Sequence, residues 1–298
     1  MKTADQIEPR TIVNAVNTPG NGTSLFIISQ PGSYYLTTNL VGVSGKNGIE
    51  ILANNVTLDL NGFALLGVSG SVSGIDIPSA QTNVVVRNGT VNGWGYMGMY
   101  IESDSSLNMV SERLNVSACG DGGIFSVALA AVMRDCNCQQ NGGDGITCIN
   151  GIVSDCTANN NGSDGIVVTS ATVSGCYTAN NQYSGIFVQD LGGSGGKVIA
   201  NTCIGNNKGN QLSAGGILIG NSNNRVEDNQ VTANGYAGIL VDKVGDSDCT
   251  KNIIIKNSVS GNGANNYVLP AGQIVGPIIT NTVSGIITNS NPWANFSF

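Results

Sequence analysis

The sequence predicts an all-β chain, a single-stranded right-handed parallel β-helix of about ten coils with three parallel sheets, an Asn ladder and capped ends. Three observations predict it. A Gly-Ile or Gly-Met step recurs at Gly48, Gly74, Gly98, Gly123, Gly145, Gly165, Gly185, Gly216 and Gly238, with spacings of 26, 24, 25, 22, 20, 20, 31 and 22 residues. A period of roughly 20–50 residues is the mark of a solenoid. Apolar side chains alternate after each step, and Asn recurs at one fixed offset before it.

Each step opens a short strand. Ile146 and Cys148 share a face, as do Ile166 and Val168, Ile186 and Val188, Ile217 and Ile219, and Ile239 and Val241, because side chains on a strand alternate with period two. Val153, Val173 and Val226 lie 12 residues before the next Gly, and Cys136, Cys156 and Cys176 lie 9 before it. Cys138, Ala158 and Thr178 lie 7 before it. These sets read as further inward columns, so each coil carries three strands. Asn141, Asn161, Asn181 and Asn234 sit 4 residues before the Gly. Stacked there, each amide can satisfy backbone groups of a turn that water does not reach.

The irregular coils mark the outside. The 31-residue coil carries insertions near residues 191–197 and 207–213, and residues 242–251 form another long connection. Insertions that keep the strand register belong on the surface. Residues 1–40 read as an N-terminal arm and cap, 41–270 as the coils and 271–298 as a C-terminal cap carrying Trp293, Phe296 and Phe298, all in one continuous domain. An open solenoid end must be covered.

Composition narrows the function. Charged residues are 10% of the 298, Lys+Arg total 12 against 19 Asp+Glu, and the net charge is −7. No basic stripe suits a nucleic acid, and no apolar run is long enough for a membrane span. There is no His, which excludes Ser-His-Asp and Cys-His catalysis and removes the commonest metal ligand. The start, Met1-Lys2-Thr3-Ala4-Asp5, is not a signal peptide, and the sequence reads as the mature form of an extracellular or cell-surface protein. The eight Cys lack zinc-knuckle spacing. The inward column of Cys136, Cys156 and Cys176 is expected to hold free thiols that act as small apolar side chains.

Two segments, Asn55-Val56-Thr57-Leu58-Asp59-Leu60-Asn61-Gly62 and Ser29-Gln30-Pro31-Gly32-Ser33-Tyr34-Tyr35-Leu36, together with the Asn-rich coils, resemble secreted bacterial proteins of the pectin lyase-like right-handed β-helix superfamily. The resemblance covers most of the chain. It implies the fold and, because many members are polysaccharide lyases or glycoside hydrolases while others are adhesins or phage tail proteins, a glycan or surface role. The polygalacturonase-like members use a Gly-His-Gly segment, which a chain without His cannot contain. No segment matches the Arg-Pro signature of the pectate lyase-like members.

The candidate site residues are therefore charged side chains on the coils. Arg87, Glu112, Arg134 and Glu227 lie 11 residues before a Gly step and should face outward. They read first as an ion-pair ladder and second as a substrate-binding strip. Asp135 and Asp155, one residue further on, could sit about 5 Å apart, the separation of a retaining glycosidase pair. As catalytic residues they would be acid and nucleophile, with Arg134 orienting a substrate acid group; as plain turn residues they would cap a bend. Asp242, Asp246 and Asp248 form an acidic loop of the density calcium uses. No other cofactor is implied.

The sequence thus favours an extracellular scaffold that binds carbohydrate or serves surface assembly, without catalysis. The alternative is a polysaccharide-degrading enzyme, a glycoside hydrolase or polysaccharide lyase, acting on the outer face of the first sheet. The expected partner is a polysaccharide or cell-surface glycan, with self-association as a further option.

Overall fold

The structure is a computed structural model that describes residues 10–242, 249–280 and 289–298. The chain folds as a parallel β-solenoid of about 11 turns, and no helix occurs among the described residues. It divides into two compact units, Met1–Gly143 and Asp144–Phe298.

In the first unit three rows of strands pair in parallel. One row runs through Ser24–Ile28, Asn47–Ile51, Ile75–Ile77, Met99–Ile101 and Ile124–Ser126. A second links Thr11–Ile12, Gly32–Tyr35, Val56–Asp59, Thr82–Asn92, Leu107–Ser117 and Ala131–Arg134. The third joins Leu40–Val41 and Ala64–Leu66 to the far ends of Thr82–Asn92 and Leu107–Ser117, then to Asn137–Gln139. Parallel pairing therefore already involves residues 11–35, inside the segment expected as an arm and cap.

The second unit repeats this plan. Its first row contains Ile146–Ser154, Ile166–Ser174, Ile186–Val188, Gly215–Ile219, Ala237–Val241 and Asn265–Val268. The second row ends on Ile274–Val275, and the third passes through Asn295–Ser297 to Ile278–Thr280. Ile146, Ile166, Ile186, Ile217 and Ile239 are fully buried. Each contributes about 1.5–3 kcal/mol by leaving water.

The Gly of each step is required by closeness. A Cβ on Gly165 would lie 2.5 Å from the Gly185 carbonyl oxygen, and one on Gly185 would lie 2.6 Å from that of Gly216. Consecutive coils thus meet backbone to backbone, and only Gly fits.

The bends have their own rule. Asn160, Asn180 and Ala233 hold left-handed φ of 55°, 55° and 56°, and each immediately precedes a ladder Asn. In the second unit the ladder runs from Asn161 Nδ2 to Asn181 Oδ1 (3.0 Å), Asn181 to Asn206 (2.8 Å), Asn206 to Asn234 (3.1 Å) and Asn234 to Asn262 (2.9 Å). A second ladder links Asn201, Asn229, Asn257 and Asn295 at 3.0, 2.9 and 3.1 Å. Each amide oxygen also accepts the backbone N–H of the Asn one coil earlier, as in Asn206 N–H to Asn234 Oδ1. In the first unit Trp94 and Cys119, 1% and 2% exposed, fill the corresponding bends before Asn141, whose Oδ1 accepts the Cys119 N–H at 3.1 Å.

The eight cysteines are all buried. Burial pushes the Cys119 thiol up to about 11 and the Cys148 and Cys203 thiols up to about 12. They behave as small apolar side chains. The insertions lie outside, with Leu191 and Leu212 exposed. One buried Asn clamps each: Asn221 donates to the Gln189 and Gly193 carbonyls, and Asn207 to those of Gln211 and Ala214.

Candidate functional site

The charged strip is real and lies in the first unit. Asp59, Arg87, Glu112 and Arg134 are register partners on successive strands. Arg87 Nε reaches Asp59 Oδ2 at 3.1 Å, and Arg113 Nη2 and Arg134 Nε reach the two Glu112 oxygens at 2.6 and 2.8 Å. Burial works to raise the Glu112 carboxyl, but Arg134 and Arg113 overcome it and hold it below the usual range. At Asp59 burial is likewise overcome, by the Asn61 N–H, Asn88 and Arg87. Each carboxylate in the strip has a guanidinium partner, so the row is a closed ion-pair network with its guanidiniums half-exposed.

Glu227 belongs to the second unit. There it pairs with Arg225, and with Lys256 at 2.8 Å. Those two bonds pull its carboxyl down to about 2.

Asp135 and Asp155 are divided between the units. Both are exposed, with φ of 55° and 53°. Within the second unit the position of Asp155 is taken on later coils by Gly175, Ala200, Asp228 and Lys256, at φ between 53° and 65°. What these residues share is the left-handed bend, which Asp adopts more readily than most. Asp242 is described, whereas Asp246 and Asp248 lie outside the described residues. Among the described residues no three Asp, Glu or Cys side chains could jointly hold a metal ion. Asp144 and Asp164 stitch coils together: the Asp164 N–H donates to Asp144 Oδ1 and the Ser184 N–H to Asp164 Oδ1, at 3.1 and 2.6 Å.

A second face, with carboxylates beside aromatic rings, was not among the sequence candidates. On the first row of the first unit, the residue after each Gly-Ile or Gly-Met step points outward. Glu50, Asp76, Tyr100 and Phe125 are consecutive register partners there, about 4.8 Å apart. Tyr100 packs edge-on against Tyr96 with centroids 5.4 Å apart, and Phe125 lies 5.3 Å from Tyr100. Asn47 Nδ2 donates to Asp76 Oδ2 at 2.8 Å, and Ser24 Oγ to Glu50 Oε2 at 2.6 Å. The other oxygen, Asp76 Oδ1, is buried without a partner. Burial, then Glu102, then Glu50 push the Asp76 carboxyl up to about 7. Burial and the Tyr96 hydroxyl raise Tyr100 to about 12. A perturbed carboxyl beside half-exposed aromatic rings is what functional sites concentrate. The signal was present in the sequence, since Glu50, Asp76, Tyr100 and Phe125 share one offset from the repeating Gly.

This fold and this kind of face define a parallel β-solenoid with a carboxylate and aromatic surface. Solved structures share the architecture. The A-module of mannuronan C-5 epimerase AlgE4 from Azotobacter vinelandii superposes with a TM-score of 0.56 at 16% identity, covering 78% of this chain and 70% of that one. The catalytic domain of a GH87 α-1,3-glucanase gives 0.61 at 14% identity, over 97% of this chain and 58% of that one. The Dettilon tailspike protein gives 0.58 at 15%, over 92% and 60%. At these identities the likeness is one of fold. No family model matches the chain, and no curated protein matches it.

Proposed function

We propose that the chain is an extracellular or cell-surface β-solenoid that binds a polysaccharide along the outward row of its first unit. The observation that carries this reading is the run Tyr96, Tyr100 and Phe125 beside Glu50, Asp76 and Glu102. Aromatic rings offer flat apolar area to the C–H face of a sugar, and carboxylates accept hydrogen bonds from its hydroxyls. Support of a second kind comes from solved neighbours, whose names include an epimerase of mannuronan, a glucanase and a tailspike.

A second reading is catalysis at the same face. Asp76 favours it, because a carboxyl raised to about 7 carries a proton near neutrality and suits a general acid.

One experiment separates the readings. The protein is incubated with plant, algal and bacterial polysaccharides, with and without calcium, while binding, new reducing ends and unsaturated uronate absorbance are followed. Binding without product, weakened about tenfold in Tyr100→Ala, supports recognition; about tenfold corresponds to 1.4 kcal/mol. Product formation abolished in Asp76→Asn supports catalysis. Neither binding nor product from any polysaccharide removes both readings.

A further inference from the structure

The second unit contains a groove of about 370 Å³, lined by Arg225, Ile253, Ile255, Ile274, Val275, Gly276, Pro277, Asn291 and Trp293. That size is within the range of small-ligand sites. Its floor is aliphatic and one wall is an indole. Ile274 is 56% exposed and Trp293 49% exposed, an apolar surface costly to leave facing water. The polar elements at the groove are Arg225 and the Asn291 carboxamide.

The cation is held in place. Arg225 and Glu227 lie two residues apart on one strand, and the Arg225 Nε bonds the Glu227 carboxylate. Among the described residues no other carboxylate pairs with Arg225, whose bond to Glu227 is made by Nε. The indole is held too. Lys256 Nζ lies 5.1 Å from the Trp293 ring centroid and bonds Glu227 at 2.8 Å. Glu227 thus orients the guanidinium directly and the indole through Lys256. Lys197 is the register partner of Arg225 on the preceding coil. Three cations therefore stand against Glu227 and its neighbour Asp228, in a chain whose net charge is −7. The local excess is positive where the whole is negative.

We propose that this groove binds a ring-bearing carboxylate. The apolar face of the ring lies on Trp293 and the aliphatic floor, and the carboxylate meets the terminal N–H groups of Arg225, a geometry guanidinium suits better than ammonium. Two sources share that chemistry, a uronic acid unit of an acidic glycan and an aromatic acid. The site is separate from the outward row of the first unit and does not depend on it.

Tryptophan fluorescence tests the proposal on the full chain. The two tryptophans differ, Trp94 being 1% exposed and Trp293 49% exposed, so a ligand-induced change reports Trp293. The probes are a short oligogalacturonate, benzoate, and a neutral oligosaccharide of matched length. Saturable quenching by either acid, at least about tenfold weaker in Arg225→Gln and intermediate in Arg225→Lys, supports the site. Oligogalacturonate alone identifies the sugar acid as the source; benzoate alone identifies the aromatic acid. Trp293→Phe keeps a ring in the wall, so calorimetric binding of the active probe should persist there while the fluorescence change disappears. No saturable response to either acid overturns the proposal, and so does an equal response to the neutral oligosaccharide.

Discussion

The two units place the residue after the Gly step identically and use it differently. In the first unit that outward position carries Glu50, Asp76, Tyr100 and Phe125. In the second it carries Thr147, Val167, Phe187, Leu218 and Leu240. Val167, Leu218 and Leu240 are buried although they point away from the coil interior. Leu218, Ala237 and Leu240 gather with Phe187, Tyr236 and Val268 into an apolar cluster on the outside. One backbone position therefore supplies stability in one unit and titratable chemistry in the other. Ionisable side chains cost free energy when buried, and their presence on one row and absence from its counterpart is the physical argument behind the proposed polysaccharide surface.

The strongest way to break this comparison is to exchange the two chemistries. Leu240→Asp puts a charge into the apolar cluster and should cost about 4 kcal/mol or more, read as a lower urea midpoint. Asp76→Leu makes the reverse exchange and should be tolerated or stabilising at pH 8. If both substitutions cost the same, the contrast between the rows is not one of burial chemistry.

Next in size is the ladder. Asn206→Ala removes the amide bonds to Asn234 and to the Thr178 carbonyl, and strands the N–H of Asn181. Leaving several buried polar groups unpaired should cost about 3–4 kcal/mol. Cys119→Ala, at the equivalent bend of the first unit, should cost about 1–2 kcal/mol, because only the packing of a small side chain and one weak S–H bond to the Ser117 carbonyl are lost. Chemical denaturation of both variants checks the difference.

The pH dependence sharpens the comparison further. The folded Asp76 carboxyl titrates near 7, whereas an unfolded Asp releases its proton near about 4. Between those values the folded chain holds the extra proton, so stability falls as pH rises through the window and is flat above it. Asp164 in the second unit is also raised to about 7, by burial and by Asp144, and has the same sign. Asp76→Asn should remove one of these two slopes and raise stability at pH 8 by up to about 4 kcal/mol, less what solvent screening removes. Glu227 has the opposite sign. Its carboxyl is lowered to about 2, so its contribution is present above about 4.5 and is lost as pH falls toward 2. Glu227→Gln should flatten the acid limb alone. Urea midpoints measured from pH 3 to 9 separate the two.

The smallest effect is expected in the charged strip. Arg87→Gln leaves Glu112 paired with Arg113 and Arg134, and leaves Asp59 bonded by the Asn61 N–H and Asn88, so the loss should stay at about 1 kcal/mol and shrink further in high salt. A larger loss, insensitive to salt, would mean that the strip is more than a surface network.

The fold was legible in the sequence because a solenoid writes each contact at a fixed offset. Gly165, Ile166, Val173 and Asn161 recur at such offsets, and strand pairing in the second unit follows them. Asn206 was hidden because the insertion at 207–213 moves it away from its Gly. The second ladder was hidden because Cys136, Cys156 and Cys176 occupy its position on earlier coils, before Asn201 takes it over. The candidate site was less legible. Asp135 and Asp155 stood out for being charged, yet the αL bend gives them a backbone role. Asp76 did not stand out, because its raised carboxyl depends on burial and on Glu50 and Glu102, which the repeat pattern does not rank. The Trp293 groove combines Arg225 with residues 28–68 positions later; Ile253 follows from coil spacing, but Asn291 and Trp293 lie beyond what that spacing brings together.

The αL residue followed by Asn has a consequence for how such a chain lengthens. Residues 141–160 and 161–180 begin with Asn and end on a residue with φ of 55°. A tandem copy of 161–180 would therefore join to itself at an equivalent bend, with its Asn facing the next Asn in line. The heritable unit of growth is then a twenty-codon cassette, so that replication slippage adds or removes whole turns.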